Sequence, residues 1–444
     1  MIRSKLFSWL LNAVYATIIV LGLPWILWAA WRHGKYREGF GEKLLGSVPK
    51  RLGNRPCLWL HAVSVGEVNL LETLIDEIQT RSDKFDICIS TTTKTGFDLA
   101  RKKYGSHTVF YCPLDFSWAV HRAMQRVRPT ALILAELELW PNLINAAKQH
   151  GAKVAIVNGR LSERSHRGYQ RVAQLIAPVL RQIDLIAVQD ETTAERFLSL
   201  SAKSNSVMTT GSLKFDGVET ERKNPRTLEL AKLAGVEETD VVFLAGSTQA
   251  PEEEVALEAF QDLSPQFPNL RLILVPRHPQ RFEEVAGLLQ QSGMPWQRRS
   301  LLKDQDSTNH DAKVLLVDTI GELSVWWGTA QIAFVGGSFG NREGQNMLEP
   351  AAYGAAVSFG PRTRNFRDIV SLLLANDGAI VLQEPSEMET FVQRCLENPQ
   401  WAAELGNRSQ KTVLSHQGAT TKTVDLLLEL LPEQADCLSK PRAA

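Results

Sequence analysis

Short apolar runs of strand length alternate with longer segments of helix length along most of the chain. In the first half, helix-length segments such as 68–80 and 140–150 separate most of these runs. The runs themselves are residues 57–63, 85–90, 108–112, 131–135, 153–158, 184–189 and 206–210. Continuous apolar strands that alternate with helices predict an α/β protein with a parallel sheet covered by helices on both faces.

The alternation lapses over residues 216–238, a charged stretch that contains a proline, and then resumes. The second set of apolar runs is 241–245, 271–275, 313–317, 332–335, 356–359 and 379–382. Two Rossmann-like halves joined by one linker create a cleft, which is a favoured position for a ligand. The predicted domains are 36–216 and 217–432, followed by a tail over 433–444. The last apolar helix, about 420–431, is expected to pack back on the first domain.

The N-terminal segment differs in kind from the rest of the chain. Residues 6–31 contain no charged side chain and exceed the ~20 residues that a helix needs to cross a bilayer. Tryptophans lie near both ends of the run: Trp9, Trp25, Trp28 and Trp31. More basic residues follow the run than precede it, with Arg3 and Lys5 before it and Arg32, Lys35, Arg37 and Lys43 after it. This pattern predicts a membrane anchor over residues 1–35 with a cytoplasmic body. The alternative is a cleaved signal peptide, but its apolar core would be shorter and a small-x-small cleavage pattern is missing.

Composition and short motifs exclude several classes of protein. Basic and acidic residues number 49 each, so no global field favours a nucleic acid or an acidic partner. The five cysteines are scattered and contain no Cys-x-x-Cys pair, which argues against a disulfide framework or a zinc site. The chain has no Walker A, Gly-x-Ser-x-Gly or His-Glu-x-x-His pattern, and no Gly-x-Gly-x-x-Gly follows the first strand. We expect no metal site.

One carboxylate directly follows the first predicted strand. The sequence Ser64-Val65-Gly66-Glu67 succeeds the run 57–63 and precedes a helix, so Glu67 stands at a strand-to-helix turn. In an open α/β sheet, ligands bind outside the carboxyl ends of the strands. The Ser-x-x-Glu spacing is also that of a capping box. Because a helix N-terminus favours an ionised carboxylate, the spacing fits both a helix cap and an unprotonated general base.

Further charged residues stand at other strand ends of the first domain. Glu136 and Glu138 follow the run 131–135, and on an extended segment two carboxylates two residues apart would point the same way. Either could instead solvate a loop or cap the helix that begins near Pro141. Lys214 follows the last strand of this domain and could balance phosphate charge, although a single lysine is more often solvated.

The strand ends of the second half carry loops suited to a nucleotide. These loops are 246–248, 276–279, 318–323 and 336–338, and a helix opens within 346–350. Exposed backbone N–H groups at such a helix start bind anions without a metal, and Arg277 could form paired hydrogen bonds with a phosphate. Each loop alone is ordinary turn chemistry, but four in succession at strand ends favour a nucleotide site.

Six of these segments, taken in order, resemble the motifs of bacterial 3-deoxy-D-manno-octulosonic acid (Kdo) transferases. They are Ser64-Val65-Gly66-Glu67, Glu138-Leu139-Trp140-Pro141-Asn142, Leu213-Lys214-Phe215-Asp216, Pro276-Arg277-His278-Pro279, Gly321-Glu322-Leu323 and Asn346-Met347-Leu348-Glu349-Pro350. The resemblance implies a GT-B fold with two Rossmann-like domains facing across a cleft. It also implies an inverting glycosyltransferase of lipopolysaccharide biosynthesis, at the cytoplasmic face of the inner membrane, with CMP-Kdo as donor and a lipid A precursor (lipid IVA) as acceptor.

The resemblance implies roles for individual residues as well. Glu67 would be the general base, and Glu138 or its neighbour Glu136, together with Lys214, would support the transition state. The CMP portion of the donor would be bound by Arg277, His278, Ile320, Gly321, Glu322, Asn346, Met347, Leu348 and Glu349. Glu349 would hold the ribose hydroxyls, and no metal or other cofactor is implied.

Three positions depart from the pattern of the family. Gln249, Gln345 and Arg362 stand where the family commonly has histidine, in Gly-Ser-Thr-His, Gly-Gly-His-Asn and Gly-Pro-His. Glutamine and arginine still donate hydrogen bonds, so we expect donor binding to be retained while the donor or acceptor could be shifted. The second hypothesis is another GT-B enzyme, either a membrane-lipid glycosyltransferase or a sugar-nucleotide epimerase. The third is a membrane-tethered binding module without catalysis.

Overall fold

The computed structural model describes residues 2–33, 38–303, 309 and 311–431, whose contacts divide the chain into two compact units. The first unit comprises Met1–Gly217 and Gln417–Ala444, and the second comprises Val218–His416. The tail predicted over 433–444 lies outside the described residues, as do Lys35 and Arg37 of the predicted basic flank.

The first unit is built from alternating strands and helices. Its strands are β1 Cys57–His61, β2 Asp86–Thr91, β3 Thr108–Tyr111, β4 Ala131–Ala135, β5 Lys153–Gly159, β6 Leu185–Val188 and β7 Val207–Thr209. Its helices up to this point are α1 Ile2–His33, α2 Phe40–Leu45, α3 Val65–Arg81, α4 Lys94–Lys103, α5 Ser117–Val127, α6 Pro141–Gln149, α7 Glu163–Arg171, α8 Ala173–Leu180 and α9 Glu191–Ser199, with 3₁₀ turns at Ser204–Ser206 and Leu213–Phe215. The strands form one parallel sheet in the order β3-β2-β1-β4-β5-β6-β7, as the alternating pattern predicts.

Apolar side chains bury both faces of this sheet. Neighbouring residues along β1 and β4 belong to two separate clusters, with Trp59 and Leu132 in one and Leu60 and Ile133 in the other. Because successive side chains of a strand point to opposite faces, the two clusters lie on opposite sides of the sheet. Burial on both faces explains why these strands are continuous apolar runs rather than alternating ones.

The second unit repeats the same plan. Its strands are β8 Val241–Thr248, β9 Leu270–Pro276, β10 Trp296–Arg298, β11 Val314–Leu316, β12 Ile332–Val335, β13 Ala356–Phe359 and β14 Ala379–Val381. Its helices are α10 Pro225–Leu233, α11 Glu252–Leu263, α12 Phe282–Gln291, α13 Leu323–Trp326, α14 Leu348–Ala352, α15 Arg367–Ala375, α16 Glu387–Glu397 and α17 Pro399–Leu414, with 3₁₀ turns at Pro279–Arg281, Arg299–Leu301, Trp327–Thr329 and Arg364–Phe366. The strands again form one parallel sheet, in the order β10-β11-β9-β8-β12-β13-β14.

The apolar pattern does not predict two elements of the second unit. β10 is an edge strand whose residues, Trp296-Gln297-Arg298, are mostly polar, so it forms no apolar run. α10 lies within the charged stretch that the sequence suggests is a linker. Its start signals are present nonetheless, because the Asn224 side chain accepts from the Thr227 N–H at 3.0 Å and Pro225 occupies the first turn.

α1 is the one helix within the described ranges that is long and apolar enough to cross a membrane. The qualifying window is Ser8–Trp25, of which 6% is buried. Large apolar side chains along it, such as Trp9 and Leu21, are exposed. Pro24 lies inside the helix, which continues past it.

Two polar side chains of α1 attach the helix to the body of the first unit. Asn12 donates from Nδ2 to the Ser117 hydroxyl at 2.7 Å and accepts from the Ser117 backbone N–H at 3.0 Å. The Tyr15 hydroxyl donates to the Asp115 carboxylate at 3.2 Å. These bonds fix how α1 meets the loop between β3 and α5.

The last helix, α18 Ala419–Leu430, packs in the first unit, as expected for the apolar helix at 420–431, although the predicted domain limits place it in 217–432. Val424 and Leu427 are buried in the cluster on one face of the first sheet. Asp216 accepts from two backbone N–H groups at the start of the helix, at 2.6 and 2.5 Å. The Leu-Lys-Phe-Asp segment and α18 therefore support each other.

Candidate active site

The first sheet changes its winding direction between β1 and β4. From β1 the chain runs outward through β2 and β3, and then crosses back to β4 on the other side of β1. In open α/β sheets this is the usual ligand position. Glu67 follows β1, while Glu136 and Glu138 follow β4, so the topology brings Glu67 near two carboxylates that lie far along the sequence from it.

Glu67 lies in the first turn of α3 and is 9% exposed. The Ser64 hydroxyl accepts from the Glu67 backbone N–H at 3.3 Å and donates to Glu67 Oε1 at 2.8 Å. Glu67 Oε2 accepts from the Val63 backbone N–H at 2.8 Å. This is a capping box whose return bond goes to the residue before the N-cap. The predicted cap is present, and it fixes the carboxylate at the end of β1 while leaving each oxygen further acceptor capacity.

Burial changes the expected protonation of this carboxylate. The helix N-terminus alone suggests that Glu67 stays ionised, but burial raises the pKa of Glu67 above its ordinary value. Hydrogen bonds from Val63 and Ser64 oppose the rise in pKa, and the charge of Glu136 adds to it. A raised pKa makes the ionised carboxylate a stronger proton acceptor, which is what a general base requires.

The loop after β4 is not extended, contrary to the sequence-based interpretation. Glu136 has a φ of 55°, in the left-handed region, so the chain turns before it reaches Glu138. The two carboxylates consequently have different partners. Glu136 Oε1 lies 3.8 Å from Nζ of Lys214, and Glu138 Oε2 accepts from the Trp140 indole N–H at 2.7 Å.

The charges of neighbouring carboxylates affect the ionisation of Glu67 and Glu138. Burial raises the pKa of Glu138 to about 7, the hydrogen bond from Trp140 opposes the rise, and the charges of Glu67 and Glu136 add to it. The negative charges of neighbouring carboxylates favour the protonated form of Glu67 and of Glu138. Glu138 can therefore take up a proton near neutral pH, which an isolated exposed carboxylate does not do.

Lys214 reaches this group from the 3₁₀ turn after β7. Its neighbours Leu213 and Phe215 are buried, and the Leu213 N–H donates to Asn158 Oδ1 at 3.0 Å. The Lys214 side chain itself is 44% exposed. Buried neighbours on both sides hold the backbone of the predicted lysine in place, while its ammonium group stays available near Glu136.

Asp115 supports the same region, and the sequence motifs give no sign of it. It is 3% exposed and accepts from the backbone N–H groups of Asn142 at 3.1 Å and Leu143 at 2.8 Å, in the first turn of α6. Burial raises the pKa of Asp115 to about 7, and these hydrogen bonds oppose the rise. One signal could have found it: Trp140 at the N-cap supplies no side-chain cap, so the helix needs an acceptor from elsewhere.

The second sheet has its own switch point, between β8 and β12. Glu252, the first residue of α11, is 2% exposed there. Its Oε2 accepts from the backbone N–H groups of Gln249 at 2.9 Å and Gly337 at 2.7 Å, and its Oε1 accepts from those of Ser338 at 3.0 Å and Phe339 at 3.1 Å. Burial raises the pKa of Glu252, and the four hydrogen bonds oppose the rise.

These bonds limit how two of the predicted nucleotide loops can bind a ligand. The sequence predicts that the loops after β8 and β12 are suited to a nucleotide. In the structure, N–H groups of both loops already donate to the Glu252 carboxylate. Sequence reasoning missed this role because Glu252 resembles an ordinary helix start and its partners lie far along the chain.

The three positions that depart from the family pattern surround the loop after β12. A Cβ built on Gly337 would lie 3.2 Å from Nε2 of Gln345 and 3.6 Å from Nε2 of Gln249. Arg277 Nε donates to Gln345 Oε1 at 3.1 Å. The backbone N–H of Arg362 donates to a carbonyl of the same loop at 3.0 Å. His278, the other predicted residue of the β9 loop, is partly exposed beside Arg277.

In the turn after β11 the backbone is exposed, whereas the side chain of Glu322 is already hydrogen-bonded within the protein. Ile320 is 80% exposed, and Gly321 has a φ of 90° with open space where a Cβ would lie. Glu322 forms paired hydrogen bonds with Arg299, at 2.9 and 2.8 Å, and accepts from the Thr319 hydroxyl at 2.7 Å. Burial acts to raise the pKa of Glu322, but Thr319 and Arg299 hold it below its ordinary value. Ile320 and Gly321 can therefore offer backbone groups to a ligand, while Glu322 shapes the turn.

The segment before α14 is tied together by Asn346. Its Oδ1 accepts from the Leu348 N–H at 3.1 Å, and its Nδ2 donates to Glu349 Oε1 at 3.0 Å. The side chains of Met347 and Leu348 are buried, so these residues could meet a ligand only through their backbone. Burial raises the pKa of Glu349, and the bond from Asn346 opposes the rise. Among the residues that the structure describes, no group of three or more His, Cys, Asp or Glu could hold a metal ion.

The sequence relatives of the chain share one description. The family model "3-Deoxy-D-manno-octulosonic-acid transferase (kdotransferase)" matches residues 36–217. The chain is 32% identical to the 3-deoxy-D-manno-octulosonic acid transferase of Haemophilus influenzae over 382 residues, which cover 84% of this chain and 88% of the relative. It is 31% identical to the protein of that name from Bordetella pertussis over 432 residues, 94% of this chain and 98% of the relative.

Two solved structures share the fold at low sequence identity. A UDP-GlcNAc 2-epimerase from Neisseria meningitidis matches with a TM-score of 0.55 and 14% identity, covering 84% of this chain and 100% of that one. A glycosyltransferase from Rickettsia africae matches with a TM-score of 0.54 and 11% identity, covering 85% and 99%. At such identity the likeness shows the fold alone, and it confirms the predicted GT-B class with two Rossmann-like units.

Proposed function

The chain belongs to the 3-deoxy-D-manno-octulosonic acid (Kdo) transferase family of glycosyltransferases, and from this premise we propose that it moves Kdo from CMP-Kdo to a lipid A precursor. The observation that carries the catalytic part of the proposal is the group of neighbouring carboxylates at the first switch point. Transfer to a sugar hydroxyl needs a proton acceptor, and Glu67 is the member of the group with both carboxylate oxygens hydrogen-bonded.

In the proposed reaction Glu67 is the general base. The acceptor hydroxyl gives its proton to the Glu67 carboxylate while its oxygen forms a bond to the anomeric carbon of Kdo. The bond between that carbon and the phosphate oxygen of CMP breaks, and its electron pair leaves with CMP. One displacement inverts the configuration without a covalent enzyme intermediate. The bonds from Val63 and Ser64 pre-orient the base, which reduces the entropy cost of the step.

Glu138 and Lys214 act on the same step through charge. Glu138, held by Trp140, lies in the electrostatic range of Glu67 and can accept a hydrogen bond from the acceptor sugar. Lys214 stands 3.8 Å from Glu136 and would offset negative charge that develops as the phosphate leaves. Glu136 in turn sets the local field around both the lysine and the base.

The donor is assigned to loops of the second unit. Arg277 and His278 would meet the phosphate, the exposed backbone at Ile320 and Gly321 would contact the nucleotide, and Glu349 would accept from the ribose hydroxyls. Fixed cations and N–H groups can stabilise the leaving CMP, so the proposed step requires neither a metal nor another cofactor.

The membrane partner is assigned to α1. Asn12 and Tyr15 hold α1 against the first unit, and the exposed apolar side chains of its segment Ser8–Trp25 can contact lipid. We assign α1 as the anchor that keeps the enzyme at the cytoplasmic face of the inner membrane, where a lipid acceptor is available. The exposed apolar helix favours a membrane-bound transferase over a sugar-nucleotide epimerase of the same fold, because an epimerase needs no membrane anchor.

A mass measurement tests the proposal. The full-length protein in detergent is incubated with CMP-Kdo and a tetra-acylated, bis-phosphorylated lipid A precursor, and the lipid product is weighed by mass spectrometry. The expected result is a gain equal to one or more Kdo residues together with release of CMP. An unchanged lipid mass, with the donor intact, would contradict the proposed function.

A further inference from the structure

The four hydrogen bonds of Glu252 join two loops at the ends of neighbouring strands. One bond goes to the loop after β8, and three go to the loop after β12. A Cβ built on Gly336 would lie 2.7 Å from Glu252 Oε2, so this loop packs directly against the carboxylate. A carboxylate has about four lone-pair sites, and all of them are used here. Glu252 therefore acts as an internal anion in a nest of backbone N–H groups.

The same two loops carry side chains that meet at Gly337. The side-chain amides of Gln249, from the first loop, and Gln345, from the segment after the second, both lie beside the position where a Cβ of Gly337 would be. Gln345 is also bonded to Arg277. Gly337 has a φ of 67°, which favours glycine, and its lack of a side chain leaves room for both amides. Any shift of either loop would move these groups apart.

We propose that Glu252 is a positioning residue for donor recognition. Its carboxylate accepts hydrogen bonds from backbone N–H groups of both loops. These bonds hold Gln249, Gln345 and Arg277 where their side chains can bind an anionic group of the donor. The inference rests on the proposed function for the identity of the donor, CMP-Kdo. At this place side-chain amides and a guanidinium group bind the donor. The backbone N–H groups of the two loops do not contact the donor, because they donate to Glu252.

Kinetics of matched glutamine variants test the inference. Glutamine has one acceptor oxygen, so Glu252→Gln leaves two of the four buried N–H groups facing an amide NH₂. We expect the KM for CMP-Kdo to rise about tenfold or more, because lost hydrogen bonds to a charged group have effects of this order. The kcat and the KM for the lipid acceptor should change by less than about threefold, because the carboxylates of the first unit are untouched.

Two further variants separate positioning from a general loss of structure. Glu253→Gln changes the next residue, which is equally buried but pairs with Arg281 rather than with the loops, and it should keep the wild-type KM for CMP-Kdo. Glu252→Asp keeps the charge on a shorter side chain and should give an intermediate KM. A wild-type donor KM in Glu252→Gln, or a fall in kcat with an unchanged donor KM, would overturn the inference.

Hydrogen exchange of the unmodified protein decides the question even if Glu252→Gln does not fold. The N–H groups of Gln249, Gly337, Ser338 and Phe339 should exchange slowly without any ligand, and CMP-Kdo should add no protection, because Glu252 already occupies them. Fast exchange that becomes slow on adding CMP-Kdo would show that the donor binds these groups and would overturn the inference.

The exchange measurement also distinguishes a failure of the proposed function from a failure of the role assigned to Glu252. If the wild-type protein makes no Kdo product, the proposed function fails. The exchange rates of the four N–H groups without ligand still report whether Glu252 holds both loops, and fast rates would reject that role independently.

Discussion

Each of the two sheets has a buried glutamate at its switch point, and the two glutamates are bonded in opposite ways. Glu67 accepts from one backbone N–H and one hydroxyl, and it faces other carboxylates. Glu252 accepts from four backbone N–H groups. A carboxylate whose acceptor sites are all filled can hold backbone in place but has no capacity left for a substrate proton. The position of a buried acid in the fold is therefore less informative than the number of its lone pairs that the protein already uses.

The largest difference between the two glutamates should be in activity, because Glu67→Gln removes the general base. Without a general base, kcat should fall by about 10²–10⁴-fold, while the KM for CMP-Kdo should stay near the wild-type value. Steady-state transfer assays with a varied donor concentration measure both. Glu72→Gln, on the exposed face of the same helix, is the matched control and should retain full activity. A Glu67→Gln enzyme with normal kcat would reduce this residue to a helix cap.

Thermal or denaturant unfolding should reverse the ranking of the two glutamates. Glu252→Gln leaves buried N–H groups without acceptors and should lower the free energy of unfolding by about 1–3 kcal/mol. Glu67→Gln disturbs a single backbone N–H, that of Val63, and should change it by less than about 1 kcal/mol. Equal losses in both variants would mean that the difference in hydrogen bonding has no energetic consequence.

The charge of Lys214 should contribute less to the rate than Glu67 does. Lys214→Met removes the cation near Glu136 and should lower kcat about fivefold, on the scale of the ~1 kcal/mol that a half-exposed charge contributes. Lys203→Met, at another exposed lysine of the same unit, is the control and should leave kcat unchanged. An unaltered rate in Lys214→Met would mean that this lysine is a solvated surface residue with no part in the transfer step.

The smallest effect should appear in the pH dependence of transfer. The rate requires an ionised Glu67, so it should fall as the pH drops through the raised pKa of that residue. Glu136→Gln removes a negative neighbour, so it should lower the pKa of Glu67 and move the acid limb of the profile to lower pH. Profiles of kcat/KM for the acceptor, recorded for both proteins, show the direction. An acid limb that moves to higher pH would contradict the coupling of these carboxylates.

The sheet strands of both units, apart from β10, could be predicted from the sequence, because a sheet buried on both faces leaves continuous apolar runs. The turn at Ser64 and Glu67 was also predictable, since capping is a local interaction of neighbouring residues. The charged helix α10 was not predicted, because its cap and proline are local signals that the apolar pattern ignores.

Features that depend on distant contacts could not be predicted from single positions. The left-handed backbone at Glu136 separates its carboxylate from that of Glu138, and no local sequence signal announces it. The raised pKa of Glu67 depends on burial and on Glu136, which follows a different strand. Glu252 was missed because three of its four partners lie in the loop after β12.

Single-turnover rates at saturating CMP-Kdo compare the two glutamates most directly. Wild-type protein, Glu67→Gln and Glu252→Gln are each mixed with the lipid acceptor, and product formation is followed in one assay. With the donor bound, Glu67→Gln should be at least about 100-fold slower than wild type, and Glu252→Gln should lie within about threefold of it. A wild-type rate in Glu67→Gln, or an equal loss in both variants, would contradict the division of base and positioning residue between the two switch points.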